Sequence, residues 1–322
     1  MTLKNKKILV TGGAGFIGSH LVDSLVKEEP ENVTVISNFF LGKEENLREA
    51  KEKFPKLKIY HGTAADFDIM RRILENEKFD IIYNLAVIPL PASLEDPLWS
   101  TLENIKITTN LCELQRKGLF DKLIHFSSSE AYGSAIKVPM SEKHELNPET
   151  PYAASKAASD LIVDSYFRTF KLKNTILRPF NNYGPRQNAG KFAAIIPLFI
   201  KKILSGEKTL MINGDGEQTR DFIFATDTAN AALEFAKNNN VLGKTINIAS
   251  GREISMNYLT ELICKEMNFK GKIEHGSNRL GDVRRHFADI SLAKQLLNFE
   301  PKIKFEEGIK LTCDWYKKNL KI

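Results

Sequence analysis

Residues 7–28 read "KILVTGGAGFIGSHLVDSLVKE". The first five form a short apolar run, "KILVT" (7–11), of strand length. From residue 16, "FIGSHLVDSLVKE" places apolar residues at helical spacing. Between the two lie Gly12, Gly15 and Gly18. Glycine at such a turn lets backbone N–H groups come close to an anion, and the helix N-terminus favours its negative charge. Strand, glycine turn and helix in this order predict a dinucleotide pyrophosphate site built by Gly12, Gly15, Phe16, Ile17 and Gly18.

Downstream the same alternation continues. "VTVIS" (33–37), "KLKIYHG" (56–62), "FDIIYNLA" (79–86) and "KLIHFSS" (122–128) read as strands, with helical patterns between them. Near-continuously apolar strands separated by helices predict a parallel sheet covered on both faces, an α/β doubly wound Rossmann-type fold. After about residue 179 the character changes to the polar, Gly/Pro/Asn-rich "RPFNNYGPRQNAGKF". "TLMINGDGEQTRDFIFATD" then reads as two short strands around a glycine-rich turn. The expected organisation is a dinucleotide-binding domain over 1–178, with roughly 218–250 returning to it. A smaller substrate lobe over 179–217 and 251–322 covers the carboxyl ends of the strands.

The chain has 322 residues, 42% hydrophobic and 27% charged, with a formal net charge of +6. Its lysines are interleaved with glutamate ("GKEENLREAKEKFPKLK"), as on solvated helix faces, which argues against a nucleic-acid groove. A mild cation excess suits an anionic small substrate. Cys112, Cys264 and Cys313 suggest neither a disulfide framework nor a CxxC metal pair, and the six histidines show no ligand spacing. "MTLKNKKILVTGG" does not read as a signal peptide, and "FAAIIPLFI" is too short to span a bilayer. A cytoplasmic protein without a membrane or metal partner is expected.

The second strand of a dinucleotide fold usually ends in Asp or Glu, which binds the adenosine ribose. Here it ends in Ser37, followed by Asn38, with Lys43 nearby in sequence. Serine does not repel a 2′-phosphate, so NADP is favoured, although serine also serves plain NAD. In "PYAASKAASDLIVDSYF" (151–167), Tyr152 and Lys156 are four apart and share a helix face. Free tyrosine titrates near ~10, and an adjacent ammonium favours the phenolate. The pair therefore suits proton abstraction.

"TGGAGFIG", "FSSSEAYG", "PYAASKAASD", "RPFNNYGPR" and "GDGEQTRDFIF" occur in an order and at a spacing that resemble the extended short-chain dehydrogenase/reductases. Within that family the chain looks like the nucleotide-sugar epimerases and dehydratases, over nearly its whole length. The resemblance implies an NAD(P)-dependent enzyme acting on a nucleotide-diphosphate sugar. In it Ser128 is the catalytic hydroxyl, Tyr152 the base and Lys156 its helper, the latter two also on the cofactor. It further implies cofactor contacts at Thr63, Ala64, Leu85, Ala86 and Asn104. Asn181, Arg186, Arg220 and Arg279 fall where relatives hold the nucleotide and diphosphate.

Glu130 divides the subclasses. Epimerases resembling this chain carry small or neutral residues between the serine and the "YG", whereas 4,6-dehydratases carry Thr–Asp–Glu or Thr–Ser–Glu. Ser128–Ser129–Glu130 looks like the second version. Glu130 would then remove the C5 proton that a C4 ketone acidifies, with Ser129 as donor to the departing hydroxyl. UDP-glucuronate decarboxylases also carry Ser–Glu there, so decarboxylation and C4 epimerisation stay open beside dehydration. A dinucleotide-sensing regulator without chemistry is the non-enzyme alternative. Thr63, where relatives show Asp, and the loop "NLAVIPLPAS" with Pro89 and Pro91 depart from the pattern. Two long helices, around 95–118 and 151–170, offer the surface for a homodimer.

Overall fold

The computed structural model describes residues 2–277 and 283–320. Seven strands form one wholly parallel sheet: β1 (Lys7–Thr11), β2 (Asn32–Ser37), β3 (Lys58–His61), β4 (Phe79–Asn84), β5 (Phe120–Phe126), β6 (Lys173–Pro179) and β10 (Thr245–Ile248). Their spatial order is β10-β6-β5-β4-β1-β2-β3. The chain runs outward from β1 to β3 and then resumes on the other side of β1 at β4. That reversal leaves a crevice at the carboxyl ends of β1 and β4, where open α/β sheets bind ligands.

Alternate residues of these strands enter two cores. Ile8, Val10, Val33, Val35, Ile81, Tyr83 and Ile124 pack on one face, and Leu9, Ile36, Ile82 and Leu123 on the other. Both sets are essentially solvent-free. Each such side chain contributes about 1.5–3 kcal/mol of apolar burial, so both faces must be covered. Helix Phe16–Leu25 covers the first face and helix Pro97–Arg116 the second. Among the described residues no helix is long and apolar enough to cross a membrane.

The remaining strands are β7 (Asn181–Tyr183), β8 (Thr209–Asn213), β9 (Thr219–Phe224), β11 (Glu253–Ser255), β12 (Lys272–Gly276) and β13 (Arg285–His286). β9 is the hub, pairing with β7, β11 and β13. Residues 209–224 do contain two strands flanking "GDGEQ", yet these do not pair with each other. β8 pairs in parallel with β12 instead, because β9 is already bonded along its length to other partners. A third core, including Tyr183, Phe222, Phe224, Phe305 and Ile309, holds these strands against helix Phe305–Asn319.

One buried carboxylate ties β9 to the main sheet's end. Asp221 accepts bonds from Ser250 N, Ser250 Oγ and Gly251 N, at 2.6–3.0 Å, and from Ala288 N at 3.3 Å. Burial nevertheless raises its pKa to about 6.

Candidate active site

A cavity of about 930 Å³ opens between the glycine turn, the ends of β4 and β5, and the β7–β9 region. At its floor Gly12 has φ +67°, and a Cβ there would lie 2.9 Å from the Ala86 Cα. A Cβ on Gly18 would lie 2.4 Å from the Gly12 carbonyl oxygen. The turn therefore closes only with glycine at both positions. Gly15 is the N-cap of helix Phe16–Leu25, and no side chain caps that end. Gly15, Phe16, Ile17 and Gly18 at that end line the cavity. An uncapped helix N-terminus beside a glycine-lined hollow fits a dinucleotide pyrophosphate.

Ser37, Asn38, Thr63, Ala64, Leu85 and Ala86 also line the cavity. Ser37 Oγ accepts from Phe39 N at 3.1 Å and so shapes the turn after β2. Lys43 is not on the wall: its backbone N–H is fixed to Ala14 O at 3.1 Å, and the wall turns inward at Gly42. The cation invoked for a 2′-phosphate is therefore missing from that surface. Thr63 donates to Glu103 at 3.1 Å, and Glu103 itself lines the cavity. A carboxylate thus does reach this region, from the helix Pro97–Arg116 rather than from a strand end.

Asn104 departs from the expected cofactor contact. It is buried, and its amide bonds Ile88 N at 2.7 Å, Ile88 O at 3.1 Å and Ser155 Oγ at 3.0 Å. With its polar atoms engaged internally, it braces the loop after β4 against the helix Pro151–Phe170.

That helix starts at a Thr150 cap, whose hydroxyl accepts from Ala153 N at 3.2 Å. It projects Tyr152 and Lys156 into the cavity opposite Ser128, Ser129 and Glu130. Ser128 caps the turn Ser129–Tyr132, accepting from Glu130 N at 3.2 Å, and hydrogen-bonds Tyr152. The Tyr152 hydroxyl is not poised as its spacing to Lys156 predicts. Desolvation raises its pKa to about 12; the bond to Ser128 opposes the rise, while the charges of Glu130 and Asp160 add to it. Lys156 donates instead to the Phe126 carbonyl, and burial lowers its pKa to about 8. Burial, not the neighbouring ammonium, governs the phenol in this state.

Ser129 is buried, and its carbonyl accepts from His286 Nε2 at 3.2 Å. Burial lowers the His286 pKa to about 4, so the ring is a neutral donor here. Asn181, Arg186 and Arg220 line the far part of the cavity. Arg186 is bound to Asp23 at 2.6 Å, and Arg220 donates to Thr219 O and Val283 O at 2.8 and 2.7 Å. Arg279 lies outside the described residues. Asp160, Arg178, Glu103 and His286 are the polar site residues that sequence reading missed. Only Asp160, continuing the Tyr152–Lys156 spacing by another four positions, carried a readable signal.

A family model described as GDP-mannose 4,6 dehydratase matches residues 9–312. A putative UDP-glucose 4-epimerase of Methanocaldococcus jannaschii is 36% identical over 97% of this chain and 99% of its own. Among solved structures, UDP-glucose 4-epimerase of Thermotoga maritima with UDP-glucose superposes with TM-score 0.91 at 34% identity, covering 98% of this chain and all of that one. A dTDP-glucose 4,6-dehydratase of Streptomyces venezuelae with NAD bound gives TM-score 0.90 at 30% identity, over 97% of each chain. The fold and these likenesses define an extended short-chain dehydrogenase/reductase of the nucleotide-sugar type. Within that class the chain belongs to the GDP-mannose 4,6-dehydratase-like family, whose relatives include epimerases, 4,6-dehydratases and decarboxylases.

Proposed function

We propose that this protein is a sugar-nucleotide 4,6-dehydratase, which oxidises C4 of a nucleotide-diphosphate sugar and then eliminates water across C5 and C6. The observation that carries the reading is Glu130: a carboxylate on the cavity wall, close enough to Tyr152 for its charge to raise that residue's pKa. Bound along the glycine turn, a nicotinamide dinucleotide supplies reversible hydride acceptance. Tyr152 takes the proton of the sugar 4-hydroxyl, with Ser128 hydrogen-bonded to it and Lys156 supplying positive charge nearby. The resulting ketone acidifies the C5–H bond, and Glu130 accepts that proton. Ser129 donates toward the C6 hydroxyl, which departs as water; the hydride taken from C4 is then returned at C6 while a proton enters at C5. Asn181, Arg186 and Arg220 supply amide and guanidinium donors suited to the diphosphate.

C4 epimerisation is the second reading, favoured by the names of the Methanocaldococcus and Thermotoga relatives. Turnover in deuterium oxide separates the two. A dehydratase yields a 4-keto-6-deoxy product, lighter by one water and carrying deuterium at C5. A recovered C4 epimer without exchange would sink the dehydration reading, and loss of carbon dioxide would move the assignment to decarboxylation.

The cofactor proposed is NAD. Ser37 offers no carboxylate to repel a 2′-phosphate, but no cation lines the cavity over residues 36–42 to hold one. Titration is expected to give NADP binding no tighter than NAD; markedly tighter NADP binding would reverse this. A homodimer is proposed from Leu98, Leu102 and Leu161, which stay 72%, 58% and 61% exposed on the two adjacent long helices. Light scattering at the monomer mass would refute it.

A further inference from the structure

We infer that Asp160 and Arg178 are positioning residues for this reaction: a buried ion pair that holds the Lys156 ammonium and the Glu130 turn in register with Tyr152. The inference rests on the reading of the site given above. Tyr152, Lys156 and Asp160 recur every four residues along the helix Pro151–Phe170, so they share a face. Asp160 and Arg178 are each only 3% exposed. Arg178, from β6, places Nη2 2.7 Å from Asp160 Oδ2, and Ser127 Oγ at the end of β5 donates to the same oxygen at 2.5 Å.

The guanidinium also reaches the other side of the site. Its central carbon lies 4.3 Å from the centre of the Tyr132 ring, within the short turn that carries Ser129 and Glu130. The Tyr132 hydroxyl in turn donates to Asn247 Oδ1 of β10 at 2.9 Å. One line of contacts therefore links the helix bearing Tyr152, through β6, to the turn bearing Glu130. All of it is buried.

A buried ion pair is an inefficient way to fasten a helix to a sheet, because apolar side chains of the same volume often do as well or better. The charge itself needs a reason, and Lys156 supplies one. Around Lys156 lie Asp160 from its own helix, whose charge acts on it, the Phe126 carbonyl that accepts from it, and His125 from β5, which feels its charge. Arg178 from β6 and His125, whose Nε2 is 3.5 Å from Asp160 Oδ1, share that same Asp160. His125 is held neutral, its pKa pushed well down by burial and then by the charges of Lys156 and Arg178. Burial pulls the Lys156 pKa down to about 8, and Asp160 is the group that opposes it. Asp160 is thus the buried carboxylate balancing two buried cations, while Arg178 and Ser127 fix where that carboxylate points.

The test is a pH titration of the Lys156 side chain by NMR on lysine-labelled protein without sugar, the signal being assigned by its loss in Lys156→Arg. Asp160→Asn leaves Arg178 unpaired and can fail to fold, so Asp160→Asn/Arg178→Met, which removes both charges, is measured beside it. Asp160→Asn is expected to lower the proton affinity of Lys156 about tenfold or more, one pH unit of midpoint. In the double variant a cation leaves with the carboxylate, so the midpoint is expected to shift the same way by less. Asp160→Glu is expected to restore it. Turnover at neutral pH should fall in parallel in kcat, with KM nearly unchanged, and recover in Asp160→Glu. An unmoved Lys156 midpoint in the double variant, or one that Asp160→Glu fails to restore, overturns the inference. A shifted midpoint in a protein that turns over no nucleotide sugar would fault the proposed function and leave this inference standing.

Discussion

Tyr152→Phe is expected to lower turnover about a thousandfold, the range a positioned general base contributes, while dinucleotide binding persists. The substitution removes one hydroxyl from a ring already packed in the cavity, so folding should be unaffected. The pKa near 12 sharpens the expectation. Burial disfavours the phenolate, so at neutral pH the free protein holds the phenol protonated. The sign follows: activity limited by this ionisation rises with pH below the Tyr152 pKa. Positive charge brought into the cavity lowers that pKa and moves the rise toward neutrality. In Tyr152→Phe this pH-dependent limb of kcat/KM should vanish. A variant that kept both rate and limb would remove Tyr152 from the chemistry.

Glu130→Gln is expected to separate the two halves of the reaction. The amide retains the shape and hydrogen-bonding capacity of the side chain but cannot accept a proton at C5. Water loss should therefore fall about a hundredfold or more, the lower range for a lost acid–base group, while C4 oxidation survives and the 4-keto sugar that has not lost water accumulates. Loss of the Glu130 charge should also lower the Tyr152 pKa, since that charge raises it. Oxidation in the variant should then extend to lower pH. Full water loss in Glu130→Gln would make the carboxylate structural and remove it from the chemistry.

The sheet was legible because its signals are local. β1 begins and ends where the apolar run does, and helix Phe16–Leu25 begins directly after its N-cap Gly15. The cavity wall was legible for a related reason: Gly12, Ser37, Leu85, Ser128 and Tyr152 all sit at strand or helix ends, and a parallel sheet brings those ends together. What escaped reading depends on distant pairing. The partners of β8 and β9 are strands about 32 to 66 residues away, and no local pattern distinguishes these partners from each other. Asn104 sits on the expected helix, but its amide is consumed by Ile88 and Ser155. Lys43 is near Ser37 in sequence, yet the chain turns at Gly42 before its side chain could join the wall. Arg178 in "RPFNN" carries no local signal of its role, and only packing reveals that Asp160 and Tyr132 enclose it. The Tyr152 pKa shows the same limit. Spacing places a lysine one turn away, but burial, which spacing does not encode, sets the larger shift.

The central claim, that Tyr152 opens a C4 oxidation which Glu130 converts into elimination, is tested most directly with a nucleotide sugar deuterated at C4. The expected product is one water lighter, with the deuterium recovered at C6 and a solvent-derived proton at C5. Deuterium retained at C4 of a sugar that has kept its C6 hydroxyl would contradict it.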